Sequence, residues 1–169
     1  TSDTSVAAAF AEAAAQWDRV DCLVNLVGFT KEQVTVENMA PAEWDEIVDG
    51  TLRSAYLIVR HAFPLLRRSA AAAIVNTSST FGVAVPVAGY APYAVAKAGI
   101  INLTRALATE GAPAIRANAI APGLVDTAFL RGGTGRTEKA SRINRDAVIG
   151  GTPLKRIGQP ADMVGPILF

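Results

Sequence analysis

Three short apolar runs constrain this chain most: residues 20–27 (VDCLVNLV), 73–77 (AIVNT) and 115–121 (IRANAIA). The first is β-branched and closed by Gly28, which suits a strand buried on both faces; the second predicts another buried strand, ending in serines, and the third a strand closed by Pro122 and Gly123, all of them too apolar for one wet face. Before and between them lie segments of helical period. Residues 5–17 place Val6, Phe10, Ala13 and Trp17 on one face, with Asp3 or Ser5 as N-cap. Residues 41–68 repeat Trp44, Ile47, Val48, Leu52, Tyr56, Val59, Phe63 and Leu66 at three or four, starting at Pro41 and bent or ended near Pro64. Residues 92–110 form a third helix stopped by Gly111. Alternating strand and helix predicts a doubly wound parallel sheet with helices on both sides, a three-layer α/β/α arrangement. Ligands of such sheets bind at the carboxyl ends of strands. There the chain carries Asn25 and Gly28, then Ser78 and Ser79, then Pro122, Gly123 and Thr127, three strand ends expected at one crevice.

Composition narrows the partner. The 169 residues, half of them apolar, suit one domain over 1–169. Sixteen basic against fifteen acidic residues, without a long run of either sign, argue against a nucleic-acid or polybasic membrane surface and point to a small molecule or a protein as partner. Cys22 is the one cysteine, which rules out an intrachain disulfide; a reducing cytoplasm and a buried core thiol are the expectation. No apolar run is long enough to span a membrane, and no signal peptide is apparent. His61 has no metal-spaced partner, so no metal is implied. Residues 131–145 read as a flexible excursion before a short closing helix near Pro160.

Chemistry is concentrated in GYAPYAVAKAG, residues 89–99. Tyr93 and Lys97 are four apart in the first turns of a helix, hence on one face. A lysine ammonium and the positive end of a helix dipole both favour the phenolate, so the pair is expected to lower the tyrosine pKa toward neutrality and to permit proton exchange. The spacing alone arises readily by chance. Its weight comes from position, directly after a strand ending in serines. With Ser79 donating to the same oxygen, the three groups would polarise a carbonyl or deprotonate an alcohol.

Several segments together resemble the short-chain dehydrogenase/reductase family over the whole chain. LVNLVG (23–28) is similar to the family's Asn-Asn-Ala-Gly segment, with Asn25 and Gly28 kept and Leu26 and Val27 departing from it; IVNTSS (74–79) is similar to the strand that delivers the catalytic serine. YAVAKAG matches the catalytic tyrosine and lysine, IRANAIAPGLVDT (115–127) the segment at the nicotinamide end, and PLKRIGQPADMVGPILF the C-terminal stretch. The resemblance implies an incomplete Rossmann-like fold and an NAD- or NADP-dependent oxidoreductase interconverting a secondary alcohol and a carbonyl. Tyr93 would be the acid/base, Lys97 would lower its pKa and hold the nicotinamide ribose, and Ser79, with Ser78 as runner-up, would orient the substrate oxygen. Asn25, Gly28, Pro122, Gly123, Val125 and Thr127, with Tyr93 and Lys97, would contact the cofactor. Asn25 reads equally well as a strand-end residue bonding the sheet backbone, and Gly28 and Gly123 as turn residues.

Two departures matter. VDGTLRSAYL places Thr51 where the family has an asparagine serving a water relay to the lysine. A hydroxyl has one donor where an amide has two and a carbonyl, so a slower relay is expected. The glycine-rich pyrophosphate turn and the ribose-reading residue are also not found in this chain, and it begins at Thr1 and breaks off in an apolar run, so a longer protein is expected. The strand at 20–27 is then expected as a bare apolar edge, and the 169 residues alone are expected to bind the dinucleotide poorly. A homodimer or homotetramer through helices 43–68 and 92–110 is implied, with Ala94, Ala98, Ala106 and Ala108 allowing close packing. Residues 127–152 would form the substrate lid. A non-catalytic binding or scaffold protein of the same fold is the competing reading; a methyltransferase does not account for Ser79, Tyr93 and Lys97.

Overall fold

A computed structural model describes residues 2–31, 33–131 and 144–169. They divide into two compact units, Thr1–Ala121 and Pro122–Phe169.

The first unit holds a parallel sheet of β1 (Cys22–Asn25), β2 (Ala72–Thr77) and β3 (Ile115–Ile120), in the order β1-β2-β3. Its helices are α1 (Asp3–Gln16), α2 (Pro41–Val48), α3 (Ser54–Leu66) and α4 (Ala91–Gly111). A π turn, Asp49–Arg53, joins α2 to α3, so the long periodic segment is one helical course with a widened middle. Pro64 sits inside α3, two residues before its end. This incomplete parallel sheet with flanking helices is a Rossmann-like α/β fold.

Register fixes which side chains share a face. Leu23 pairs with Ile74 and Ile74 with Ala117, and that face meets α3 and α4 in a core of Val59, Ala62, Leu66, Ala72, Ile74, Leu107 and Ile115. Fully burying each Leu or Ile here is worth about 1.5–3 kcal/mol. The other face of β1 is open: Cys22 is exposed and Val24 is 39% exposed. The expected buried cysteine is therefore corrected, because β1 is an edge strand shortened to 22–25 whose second face carries no helix of this unit. Two helix details differ as well. Ser2 caps α1, accepting from the Ser5 amide at 3.4 Å, and Trp17 lies past the helix end, 59% exposed. Extended backbone at Trp17 takes the ring off the apolar face that periodicity assigned to it.

The second unit holds a 3₁₀ turn (Ala128–Arg131), α5 (Arg145–Gly151) and α6 (Pro160–Leu168). The closing helix predicted near Pro160 is α6, entered through a capping box of Gln159 and Asp162. Helix α5 was not expected from the sequence; Asn144 caps it, accepting from the Ala147 amide at 3.0 Å. Most of the excursion at 131–145, and the centre of the lid at 127–152, lie outside the described residues. No helix among the described residues is long and apolar enough to cross a membrane.

Candidate active site

The site of the first unit starts at the end of β1. Gly28, at φ +156°, has no side chain where a Cβ would stand 3.0 Å from Lys97 Nζ and 3.5 Å from Thr51 Cγ2. Only glycine lets the backbone come so near the lysine head. The next residue is clamped by the π turn: Thr51, fully buried, donates from Oγ1 to the Phe29 carbonyl at 3.0 Å and accepts from the Phe29 amide at 3.3 Å. The Phe29 ring lies over Gly50, where a Cβ would fall 1.9 Å from Cε1. π-Bulges frequently mark functional positions, and here the widening turns Thr51 toward the β1 loop.

The end of β2 supplies the second wall. Ser78 is 3% exposed and donates to the Lys97 carbonyl at 2.7 Å. Ser79 caps a 3₁₀ turn, Thr80–Gly82, by accepting from the Phe81 amide at 3.2 Å, and its hydroxyl is also hydrogen-bonded to Tyr93. Gly82 allows that turn to lie on α4: a Cβ would sit 2.6 Å from Ser78 Oγ and 2.8 Å from the Lys97 carbonyl carbon. Phe81 meets the rings of Tyr90 and Tyr93 edge-on, with centroids 5.2 and 6.0 Å apart.

Helix α4 opens with Pro92 in its first turn, which brings Tyr93 and Lys97 over these strand ends. Lys97 is 3% exposed, donates to the Thr77 carbonyl at 2.7 Å, and has Nζ 5.7 Å from the Tyr93 ring centroid. Burial holds its pKa down at about 8. Burial raises the Tyr93 phenol above its ordinary value, with the Ser79 hydrogen bond working the other way. This corrects the expected lowering. Desolvation penalises the charged form of either group, so a phenolate is disfavoured in this unit although an ammonium lies nearby.

Gly28, Thr51, Ser79, Tyr93 and Lys97 are thus brought to one place. Asn25 points into the sheet: it is 4% exposed, Nδ2 donates to Asn76 Oδ1 at 3.2 Å, and Oδ1 accepts from the Val27 amide at 3.2 Å. Pro122, Gly123, Val125 and Thr127 belong to the second unit. There Val125 forms a parallel bridge with Gly158, the Leu124 carbonyl accepts from the Gly158 amide at 3.0 Å, and the Thr127 carbonyl accepts from Leu130 at 3.1 Å. Arg145 holds Asp126 through two contacts of 2.8 and 3.2 Å. Sequence reasoning missed Phe29, Phe81, Asn76 and the Thr77 carbonyl; an asparagine in the middle of the apolar run AIVNT was the signal for Asn76. Among the described residues no group of three or more His, Cys, Asp or Glu is placed to hold a metal ion, and His61 pairs with Asp3 at 2.7 Å.

The geometry has close relatives. A family model described as enoyl-(acyl carrier protein) reductase matches residues 1–169. A 3-oxoacyl-[acyl-carrier-protein] reductase FabG of Staphylococcus aureus is 33% identical over 165 residues, 97% of this chain and 63% of its own length. A cis-4-hydroxycyclohexanecarboxylate dehydrogenase of Sinomonas cyclohexanicum is 34% identical over 172 residues, covering 100% of this chain and 65% of that protein. Among solved structures, the aldohexose dehydrogenase of Thermoplasma acidophilum superposes with a TM-score of 0.87 at 26% identity, over 99% of this chain and 67% of that one. The chain therefore spans under two thirds of the two curated relatives' length.

Proposed function

The chain belongs to the short-chain dehydrogenase/reductase family, and on that premise we propose that the protein containing it is an NAD(P)-dependent oxidoreductase interconverting a secondary alcohol and a ketone. The observation that supports this most is the meeting of Ser79, Tyr93 and Lys97 from two elements, with Gly28 stripped to backbone beside Nζ. The donor set fits the nicotinamide end of a dinucleotide: a Cβ at residue 28 would fill the space beside the ammonium. When bound, the nicotinamide supplies or accepts the hydride. Tyr93 Oη takes the hydroxyl proton of the alcohol, or returns it to the carbonyl oxygen. Ser79 Oγ orients that oxygen, and Lys97 Nζ binds ribose hydroxyls and favours the phenolate as charge develops. Ser78 spends its proton on the Lys97 carbonyl, which favours Ser79 as the orienting serine. On the family resemblance, Pro122, Gly123, Val125 and Thr127 are proposed as cofactor contacts of the complete protein; Asn25, buried with both amide atoms bonded inside the first unit, is not among them. Three substrate classes follow from the relatives' names: 3-oxoacyl thioesters, alicyclic hydroxy acids and aldohexoses. A homodimer or homotetramer is proposed through α3 and α4, where Tyr56 and Val95 are exposed; Ala94 is already buried within this unit.

Two variants test the cofactor and relay roles. Gly28→Val should weaken NADH or NADPH binding by at least about tenfold, about 1.4 kcal/mol, in calorimetric titration of the complete protein. Unchanged affinity would remove Gly28 from the cofactor site. The competing scaffold reading draws on Thr51, whose one proton goes to the Phe29 carbonyl. An amide has a donor and an acceptor to match both Phe29 bonds and one further donor. Thr51→Asn is therefore expected to raise kcat, and an equal or lower kcat would count against Thr51 as a weak point in the relay.

A further inference from the structure

A chain of hydrogen bonds, buried from Asn25 onward, crosses the first unit from the β1 turn to α4. The Val27 amide donates to Asn25 Oδ1 at 3.2 Å, Asn25 Nδ2 to Asn76 Oδ1 at 3.2 Å, Asn76 Nδ2 to Thr104 Oγ1 at 3.0 Å, and Thr104 Oγ1 to the Ile100 carbonyl at 2.7 Å. All four donors point the same way. Asn25, Asn76 and Thr104 are 4%, 0% and 4% exposed. The chain begins on the residue before Gly28 and ends on the carbonyl three residues after Lys97.

Stability alone does not call for such a chain. Replacing paired buried polar groups by apolar ones of similar shape is nearly neutral, and Asn76 lies on the sheet face that packs Ile74 and Ile115 into an apolar core. What an apolar contact lacks is direction. Hydrogen bonds fix distance and angle, and a run of them in one sense polarises its neighbours. Lys97 is tied to β2 by its own bonds to Thr77 and from Ser78. Asn25 and Asn76, register partners in adjacent strands, extend that tie to the turn of β1.

We infer that this chain holds the Gly28 turn in register with Lys97, so that Asn76 and Thr104 are positioning residues for the proton-transfer site. The inference rests on the reading of Lys97 and Tyr93 given above. Neither Asn76 nor Thr104 touches the reacting groups; both act through the turn and the helix they connect.

Thr104→Val keeps the shape and removes the hydroxyl, leaving Asn76 Nδ2 without its acceptor. In the complete protein it should lower kcat by roughly tenfold and raise KM for the nicotinamide cofactor, since a misplacement near 1 Å can cost about 100-fold. Amide exchange at Val27 and Gly28, followed without cofactor, should speed up relative to Ile74 in the core strand. Thr104→Ser should restore all three. The inference fails if Thr104→Val lowers the melting temperature while kcat, KM and relative Val27 exchange stay at wild-type values. Lys97→Met, run alongside, separates the two levels. If it retains activity, the site reading itself falls, and the positioning role with it. If it is inactive while Thr104→Val matches wild type in every readout, the site stands and the positioning role alone falls.

Discussion

Replacing Tyr93 by Phe is expected to lower kcat by about 100- to 10,000-fold, the range typical of a lost general acid/base. The substitution removes one oxygen and leaves the ring. Its edge contact with Phe81, at 6.0 Å between centroids, survives, so folding and cofactor affinity should change little. A tyrosine kept only for packing would lose almost nothing on becoming phenylalanine. An unchanged kcat in Tyr93→Phe, with unfolding at the wild-type temperature, would mark it as such a residue.

Lys97→Met should separate stability from activity. The buried lysine has its pKa held at about 8 against an ordinary 10.5, so below pH 8 the folded state carries an ammonium it would shed more readily than the unfolded chain. The sign follows from proton counting. Between about pH 8 and 10.5 the unfolded state binds more protons, so stability rises with pH across that window and is lost again as pH falls through 8. The span is on the order of 3 kcal/mol, at 1.36 kcal/mol per pH unit. Tyr93 acts oppositely: with its pKa raised, it contributes stability that is present below the ordinary value of 10.0 and lost above it, so the rise is cleanest below pH 10. Met removes the buried charge and gives up the bond to the Thr77 carbonyl. The variant should be at least as stable as wild type at pH 7, flat in stability from pH 8 to 10, and slower by about 100-fold or more. Denaturant unfolding as a function of pH, beside kcat, checks both halves. A variant less stable at pH 7 that keeps the wild-type pH dependence would contradict the account of the charge.

The fold was legible because period carries burial. The three strands, α1, the helical course from α2 through α3, and α4 stand within a few residues of the segments that apolar spacing marked, and α6 opens at Pro160, near which a closing helix was expected. Spacing failed where geometry is not local. Trp17 follows the period of α1, yet the backbone turns extended at that residue. Cys22 sits in an apolar run that reads as doubly buried, and only the strand order shows it on an open face. The π turn has no period of its own, so Thr51 could be aligned with a family position but not placed against Phe29.

Much of the site was legible for another reason: Tyr93 and Lys97 are one turn apart, and Ser79 comes two residues after the preceding strand. Their electrostatics were not. Proximity of a cation argued for a lowered tyrosine pKa, and the burial that both groups share outweighs it here. The serines show the same limit, because which of two adjacent hydroxyls faces Tyr93 depends on strand pleat. Ser78 turns back to the Lys97 carbonyl and Ser79 toward the phenol. The pairing of Asn76 with Thr104 was invisible because the two lie 28 residues apart and are joined only by the packing of α4 on β2.

The most direct test of the proton-transfer site is to follow nicotinamide oxidation when the complete protein is mixed with NADH or NADPH and a panel of ketones, including a 3-oxoacyl thioester and an alicyclic ketone. Steady oxidation is expected with at least one cofactor and one ketone, abolished in Tyr93→Phe. A folded protein that binds the dinucleotide yet oxidises it with no ketone, or at the same rate without the Tyr93 hydroxyl, would contradict the proton-transfer role.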